Sequence, residues 1–323
     1  LDIDTIRAAH SPRHHHNKPN MSTPNKPTYP LLPSKLILMS TKSYFSPSHT
    51  ISYIKTLIAP STNIIPLLNN KDILFALLPD FLSLHPCAQI LSDHATTTTN
   101  STTPQTTTHP QSWPLHLGAQ NCFWSSDYGA FTGEIVPPAL SELGITIIEL
   151  NHAERRRLLS ETDSTTAKKA AAVSSLGMIP LVCIGEIEAP NLQGPMSAAV
   201  GNAMRQLNPQ ITSLLDAVPL DAPVIFAYEP VWAIGAAQPA GVEFVGPVVQ
   251  GIRAVVGQVE RDKGRTGQTR VVYGGSAGPG LWSGKTNGGN PLGEWVDGMF
   301  LGRFAHKIEG VREVVEEVVE SMG

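Results

Sequence analysis

Cysteine is scarce in this chain of 323 residues: Cys87, Cys122 and Cys183 lie far apart and form no CxxC pair. That excludes a disulfide framework and a cysteine-rich zinc site, and it fits a reducing compartment. No apolar run reaches the ~18 residues that a membrane-spanning helix needs, and the first residues carry no apolar core of the secretory kind. Positive charge is not in excess either. With 23 Lys and Arg against 27 Asp and Glu, the formal net charge is -4, so the basic footprint of a nucleic-acid binder is missing. The expectation is a cytoplasmic globular protein without membrane or nucleic-acid partners.

Two segments cannot build a core. Residues 1–34 mix His14, His15 and His16 with prolines and polar residues and show no helical or strand period; a disordered extension is expected, and three consecutive histidines give no reason to expect a metal. The threonine-rich stretch from Asp93 to Ser112, broken by prolines, reads as a low-complexity surface insertion over 93–114.

The remainder, 35–323, alternates short β-rich runs with longer helical patterns. The runs are Lys35–Met39, Asp72–Leu77, Leu115–Gln120, Thr146–Leu150, Pro180–Ile184, Pro223–Tyr228, Arg270–Gly274 and Gly298–Leu301. Helical spacing lies between most of them, as in Ala167–Leu176, Ala198–Leu215 and Gly246–Lys263, and Val311–Met322 closes the chain. Strands separated by helices predict a parallel α/β sheet, and eight of them favour a closed (β/α)8 barrel in a single domain. The Gly/Asn-rich stretch Ser283–Glu294 stands where a compact helix would otherwise fall.

In such a barrel, functional residues belong just past the C-terminal ends of the strands. Lys42 follows the first run, His152 and Glu154 the fourth, and Glu229 the sixth. "YGGSAGPG" from Tyr273 follows the seventh and "LGRFAHK" from Leu301 follows the eighth. The candidates share one rim. Glu229 stands before Pro230 and near Trp232, and a partly desolvated carboxylate suits a general base. His152 precedes "AERRRLL"; at the positive end of that helix a neutral ring is favoured, able to donate to a carbonyl oxygen. Gly235 and Gly274-Gly275-Ser276 would let backbone N–H groups approach an oxyanion.

From Lys35 onward the chain resembles the triosephosphate isomerase family. The likeness is carried by "LGAQNCFW" and "GAFTGEI" between Leu117 and Ile135, "NHAERR" at Asn151, "VCIGE" at Val182, "AYEPVWAIG" at Ala227, and "YGGS". The resemblance implies a barrel that needs no cofactor or metal, with Glu229 as base, His152 as electrophile and Lys42 as a substrate-facing charge. It implies substrate and phosphate contacts from Ser40, Gly235, Ser276, Gly302 and Arg303. Glu154 and Arg155 match a supporting pair, for which an ion pair that positions neighbours is expected. The loop Gly129–Glu134 matches a dimer loop, implying a homodimer, and Pro230 to about Gln238 matches a lid.

Four departures stand out. The family's NWKMN is "STKSY" here, GHSERR is "NHAERR", the lid tip reads Gly235-Ala236-Ala237-Gln238, and a phosphate-binding pair of glycines has become Gly302-Arg303. A guanidinium at Arg303 would offer a fork of donors to phosphate, block the pocket, or point outward. The combination is similar to a divergent branch that includes isomerases of erythrulose phosphates. The first expectation is interconversion of dihydroxyacetone phosphate and glyceraldehyde 3-phosphate through an enediolate. The alternative is the same chemistry on a four-carbon erythrulose phosphate. A non-catalytic barrel acting as a binding protein is the third reading, which the retained Lys42, His152 and Glu229 oppose.

Overall fold

The computed structural model of the chain describes residues 27–99, 112–235 and 239–323. Its centre is eight short strands: β1 (Lys35–Ser40), β2 (Ile73–Leu78), β3 (His116–Ala119), β4 (Ile147–Leu150), β5 (Ile179–Ile184), β6 (Val224–Tyr228), β7 (Thr269–Tyr273) and β8 (Gly298–Leu301). Each pairs in parallel with the next. β8 returns to β1, with Leu36 against Gly298 and Met39 against Leu301, and the sheet closes into the expected barrel.

Helices α1 (Pro47–Leu57), α2 (Ile64–Leu68), α3 (Phe81–Thr99), α4 (Pro137–Glu142), α5 (Ala153–Leu159), α6 (Asp163–Ser175), α7 (Met196–Ala217), α8 (Val242–Lys263) and α9 (Ile308–Glu320) surround it. Local sequence sets several of their ends. Thr162 and Thr165 form a reciprocal capping box at the start of α6, and α8 stops at Gly264, whose φ of 67° is the left-handed turn glycine adopts without strain. Between β7 and β8 the described residues hold turns and one short 3-10 segment, Leu292–Glu294, in place of an α-helix. Glu317 of α9 fastens that stretch, accepting the backbone N–H groups of Gly280 and Ser283.

Strand alternation divides the core in two. On β1, Leu36 and Leu38 join the cluster inside the barrel, whereas Ile37 and Met39 join the larger one under the helices. The inner cluster continues through Leu74, Ala76, Leu78, Ile147, Ile179, Leu181, Ile225, Ala227, Val272 and Phe300. It is a packed apolar plug, as small closed barrels require, and it forms the floor on which any site at the strand C-termini must stand.

Part of the expected disordered extension is ordered instead. Residues 27–34 run across the N-terminal mouth of the barrel, and Leu32 is 3% exposed within the inner cluster. Arg270 donates to the carbonyls of Leu32 and Pro33, the Leu32 N–H donates to Gln268, and the Tyr29 hydroxyl donates to the carbonyl of Ser174. Pro27, Pro30 and Pro33 and the lack of a helical or strand period hid this, because most of the anchoring uses backbone groups. Residues 1–26 lie outside the described residues, as do 100–111 of the threonine-rich insertion. The first part of that insertion, through Thr99, prolongs α3 rather than forming a loop, and Trp113 beyond it is buried. Leu32→Ala is expected to lower the unfolding free energy by about 2–4 kcal/mol, as for other buried leucines. Urea titration against wild type measures it.

Candidate active site

Extending the inward alternation past each inner-cluster residue gives the next layer of the barrel. Ser40 follows Leu38, Glu149 follows Ile147, Cys183 follows Leu181, Glu229 follows Ala227, and Gly274 follows Val272. The apolar plug therefore ends in two carboxyls, a hydroxyl and a thiol, all buried. Glycine at 274 is required by this crowding: a Cβ there would stand 2.7 Å from Cγ of Glu229.

Glu229 is 3% exposed. Its Oε1 lies 3.5 Å from the Cys183 sulfur, while Oε2 is buried and takes no hydrogen bond from the described residues. That second oxygen is 3.6 Å from Nε2 of His152. His152 caps α5, and its Nδ1 accepts the backbone N–H of Glu154 at 3.1 Å. With Nδ1 occupied as an acceptor, Nε2 is the ring nitrogen left to donate, and it is the one that faces Glu229.

Lys42 reaches the same cavity from the end of β1, with Nζ 2.8 Å from Oε1 of Glu154. Burial works against its ammonium, but the hydrogen bond and charge of Glu154, together with Glu229 and Glu149, outweigh it and hold its pKa above the ordinary lysine value. Its backbone has φ 48°, a left-handed conformation costly for a side chain of this kind. Gln120 holds it there, donating to the Lys42 carbonyl at 2.9 Å and the Leu78 carbonyl at 3.0 Å.

A cavity of about 200 Å³ joins these groups to Gly235, Gly275, Ser276, Gly302 and Arg303, and a second of about 500 Å³ adjoins it on the side of Gln120 and Arg155. Arg303 thus lines the cavity. Behind Glu229, the loop leaving β6 is fastened by Glu186, which accepts from the Trp232 indole at 2.7 Å and the Tyr228 hydroxyl at 3.2 Å. Burial pushes the Glu186 carboxyl above its ordinary value. The tip of the expected lid, 236–238, lies outside the described residues. Among the described residues no cluster of three or more His, Cys, Asp or Glu is arranged to hold a metal, and no helix is long and apolar enough to cross a membrane.

The family model described as triosephosphate isomerase matches residues 35–318. The chain belongs to the triosephosphate isomerase family. It is 38% identical over 204 residues to an L-erythrulose-1-phosphate isomerase of Pectobacterium atrosepticum, covering 63% of this chain and 72% of that relative. It is 37% identical over 207 residues to the protein of that name in Mesorhizobium japonicum, covering 62% and 74%. To a triosephosphate isomerase of Chlamydia trachomatis it is 35% identical over 210 residues, covering 65% and 66%.

Within this family frame, Ser40, Lys42, His152, Glu154, Glu229, Gly235, Ser276, Gly302 and Arg303 all border the one cavity, and Arg155 borders its neighbour. The expected support by Glu154 and Arg155 takes a different form. They do not pair with each other: Glu154 binds Lys42, and Arg155 binds Glu161 with Nη2 at 2.6 Å. Consecutive helix residues point in different directions, which keeps the two apart. Asn151, standing where the family has glycine, has φ 66°, a left-handed conformation that asparagine tolerates better than most residues. Its side chain donates to the Cys183 carbonyl at 2.8 Å and accepts from Arg156 and Thr166, which makes it a brace rather than a substrate contact.

Sequence reasoning missed Glu149. The signal was present: a carboxylate inside the aliphatic run I-I-E-L. It is 3% exposed, and Ser40 Oγ donates to its Oε2 at 3.0 Å. Burial first, and the Glu229 charge next among the raising influences, push its carboxyl to about 7, against the opposing pull of the Ser40 hydrogen bond and the Lys42 charge. Between the unfolded value of 4.5 and about 7 the native state binds a proton that the unfolded state has released. Stability therefore falls as pH rises through that window. Glu149→Gln is expected to be more stable than wild type at pH 8, by up to about 3 kcal/mol at 1.36 kcal/mol per pKa unit, with the advantage fading towards pH 4.5. Denaturant midpoints across pH test this.

Proposed function

We propose that the protein is a cofactor-independent isomerase of a short sugar phosphate, working by proton transfer between adjacent carbons. The observation that carries the reading is the pairing of an unsatisfied buried carboxylate oxygen, Glu229 Oε2, with the Nε2–H face of His152 across 3.6 Å. Glu229 removes the proton from the hydroxyl-bearing carbon, and the C–H electron pair forms the enediolate double bond. His152 donates to the developing oxyanion and moves the proton between the two oxygens, while Lys42 balances the negative charge. Glu229 then returns a proton to the former carbonyl carbon. The phosphate lies against the Gly275–Ser276 and Gly302–Arg303 rim, and the loop beyond Pro230 closes over it.

The reacting carbons are the two beyond the phosphate-bearing carbon. With a triose phosphate the outer one is terminal, so a ketose becomes an aldose. With L-erythrulose 1-phosphate the outer one carries a further CH2OH, so the carbonyl moves from C2 to C3 and the product is again a ketose. The higher identity to relatives named for the erythrulose phosphate, with Ser40 in place of asparagine and Arg303 in place of glycine, favours the four-carbon substrate over the triose first expected. By the same family likeness the protein works as a cytoplasmic homodimer, with the exposed loop Gly129–Glu134 reaching its partner.

Assays of purified protein on L-erythrulose 1-phosphate and dihydroxyacetone phosphate test the reading. Wild type is expected to turn over the tetrulose phosphate with a kcat/KM at least tenfold higher, and Glu229→Gln to lose about 10²–10⁴-fold on whichever is used. Equal inactivity of both proteins on both phosphates, with a phosphate ligand still bound, would establish a binding barrel instead.

A further inference from the structure

Glu149 is expensive where it stands. A carboxyl only 3% exposed needs partners, and its two oxygens offer about four acceptor positions. Among the described residues only the Ser40 hydroxyl is hydrogen-bonded to it. Its place in the barrel narrows what the spare capacity can serve. β4 is four strands from β8 on the closed ring, so Glu149 belongs to the wall opposite Gly302 and Arg303. It borders both the smaller cavity and the larger one beside it, as do Ser40, Lys42 and His152.

A sugar phosphate held by its phosphate at the Arg303 rim, with its reacting carbons between Glu229 and His152, directs its far end at this wall. On the isomerase reading given above, we propose that Glu149 receives the terminal hydroxymethyl group of a four-carbon substrate and thereby sets the preference for a tetrulose phosphate over a triose phosphate. The hydroxyl at C4 donates to the carboxyl, and the short Ser40 side chain leaves room for the extra carbon while orienting Glu149 through its own hydrogen bond. A triose phosphate has no carbon beyond the reacting pair. When it binds, the carboxyl stays buried without the donor it is placed to receive. Sites built to hydrogen-bond a substrate hydroxyl discriminate against the analogue lacking it far more strongly than apolar pockets discriminate by size.

The test compares wild type, Glu149→Leu and Glu149→Gln, each checked for folding by circular dichroism, on L-erythrulose 1-phosphate and dihydroxyacetone phosphate. The quantity read is the ratio of kcat/KM for the tetrulose to that for the triose. It is expected to fall at least tenfold in Glu149→Leu, with a smaller fall in Glu149→Gln, which keeps an acceptor oxygen at the same length. A role confined to bracing Ser40 would lower both substrates together and leave the ratio within about twofold, which overturns the proposal. So does a wild type that prefers the triose, since Glu149 then confers no four-carbon preference although the isomerase reading stands. Inactivity of the wild type on both phosphates refutes the isomerase reading itself, and the assigned role falls with it. Should Glu149→Leu fail to fold, Glu149→Gln alone decides: an unchanged ratio refutes the role, and a fall of threefold or more supports it.

Discussion

A carboxylate held out of water at the top of an apolar barrel is the constraint on which the rest of the site depends. Strand alternation compels the inward position after Ala227 to sit on the plug formed by Leu38, Ile147, Leu181 and Ala227, and that position is Glu229. Leaving its Oε2 without a donor costs on the order of 1–3 kcal/mol. The barrel closure, the inner cluster and the plug at Leu32 supply rigid packing that tolerates such a cost. They also keep the oxygen aimed at one place rather than turning towards a protein donor.

The surrounding features follow from the need to keep that oxygen free and usefully faced. Gly274 removes the side chain that would crowd it. The helix that begins at Ala153 presents one backbone N–H to Nδ1 of His152, which settles which nitrogen faces the cavity. Glu154 serves twice, through that N–H and through its carboxylate on Lys42. Left-handed backbone occurs at both Lys42 and Asn151 on this rim, braced by Gln120, Arg156 and Thr166. Strain of this kind persists only where neighbours over-determine it, and here the bracing bonds are identifiable one by one.

Much of this was legible in the sequence because both signals involved are periodic or local. All eight β-rich runs overlap the observed strands, with no end off by more than one residue, since an inward-outward pattern on a closed barrel leaves few alternatives. Glu229 and His152, which line one cavity, were singled out by their places after strands and by the family likeness. Three features escaped for physical reasons. The segment 27–34 is held mainly by backbone hydrogen bonds, which composition does not reveal. The partners of Glu154 and Arg155 come from β1 and from the turn before α6, remote in sequence or facing another way. Glu149 was passed over because its run reads as apolar strand, although alternation from Ile147 already points it inward.

The account stands on proton abstraction from carbon by Glu229, and isotope exchange with solvent reports that step directly. The reaction would be run in D2O with whichever phosphate the wild type turns over, and product and residual substrate recovered after partial conversion for proton NMR. The account predicts deuterium on the carbons between which the carbonyl moves, because the proton on a carboxyl exchanges with solvent before it is returned. Full retention of protium at both carbons at high conversion would mean direct hydrogen transfer between them, and would contradict a carboxylate base at the centre of the site.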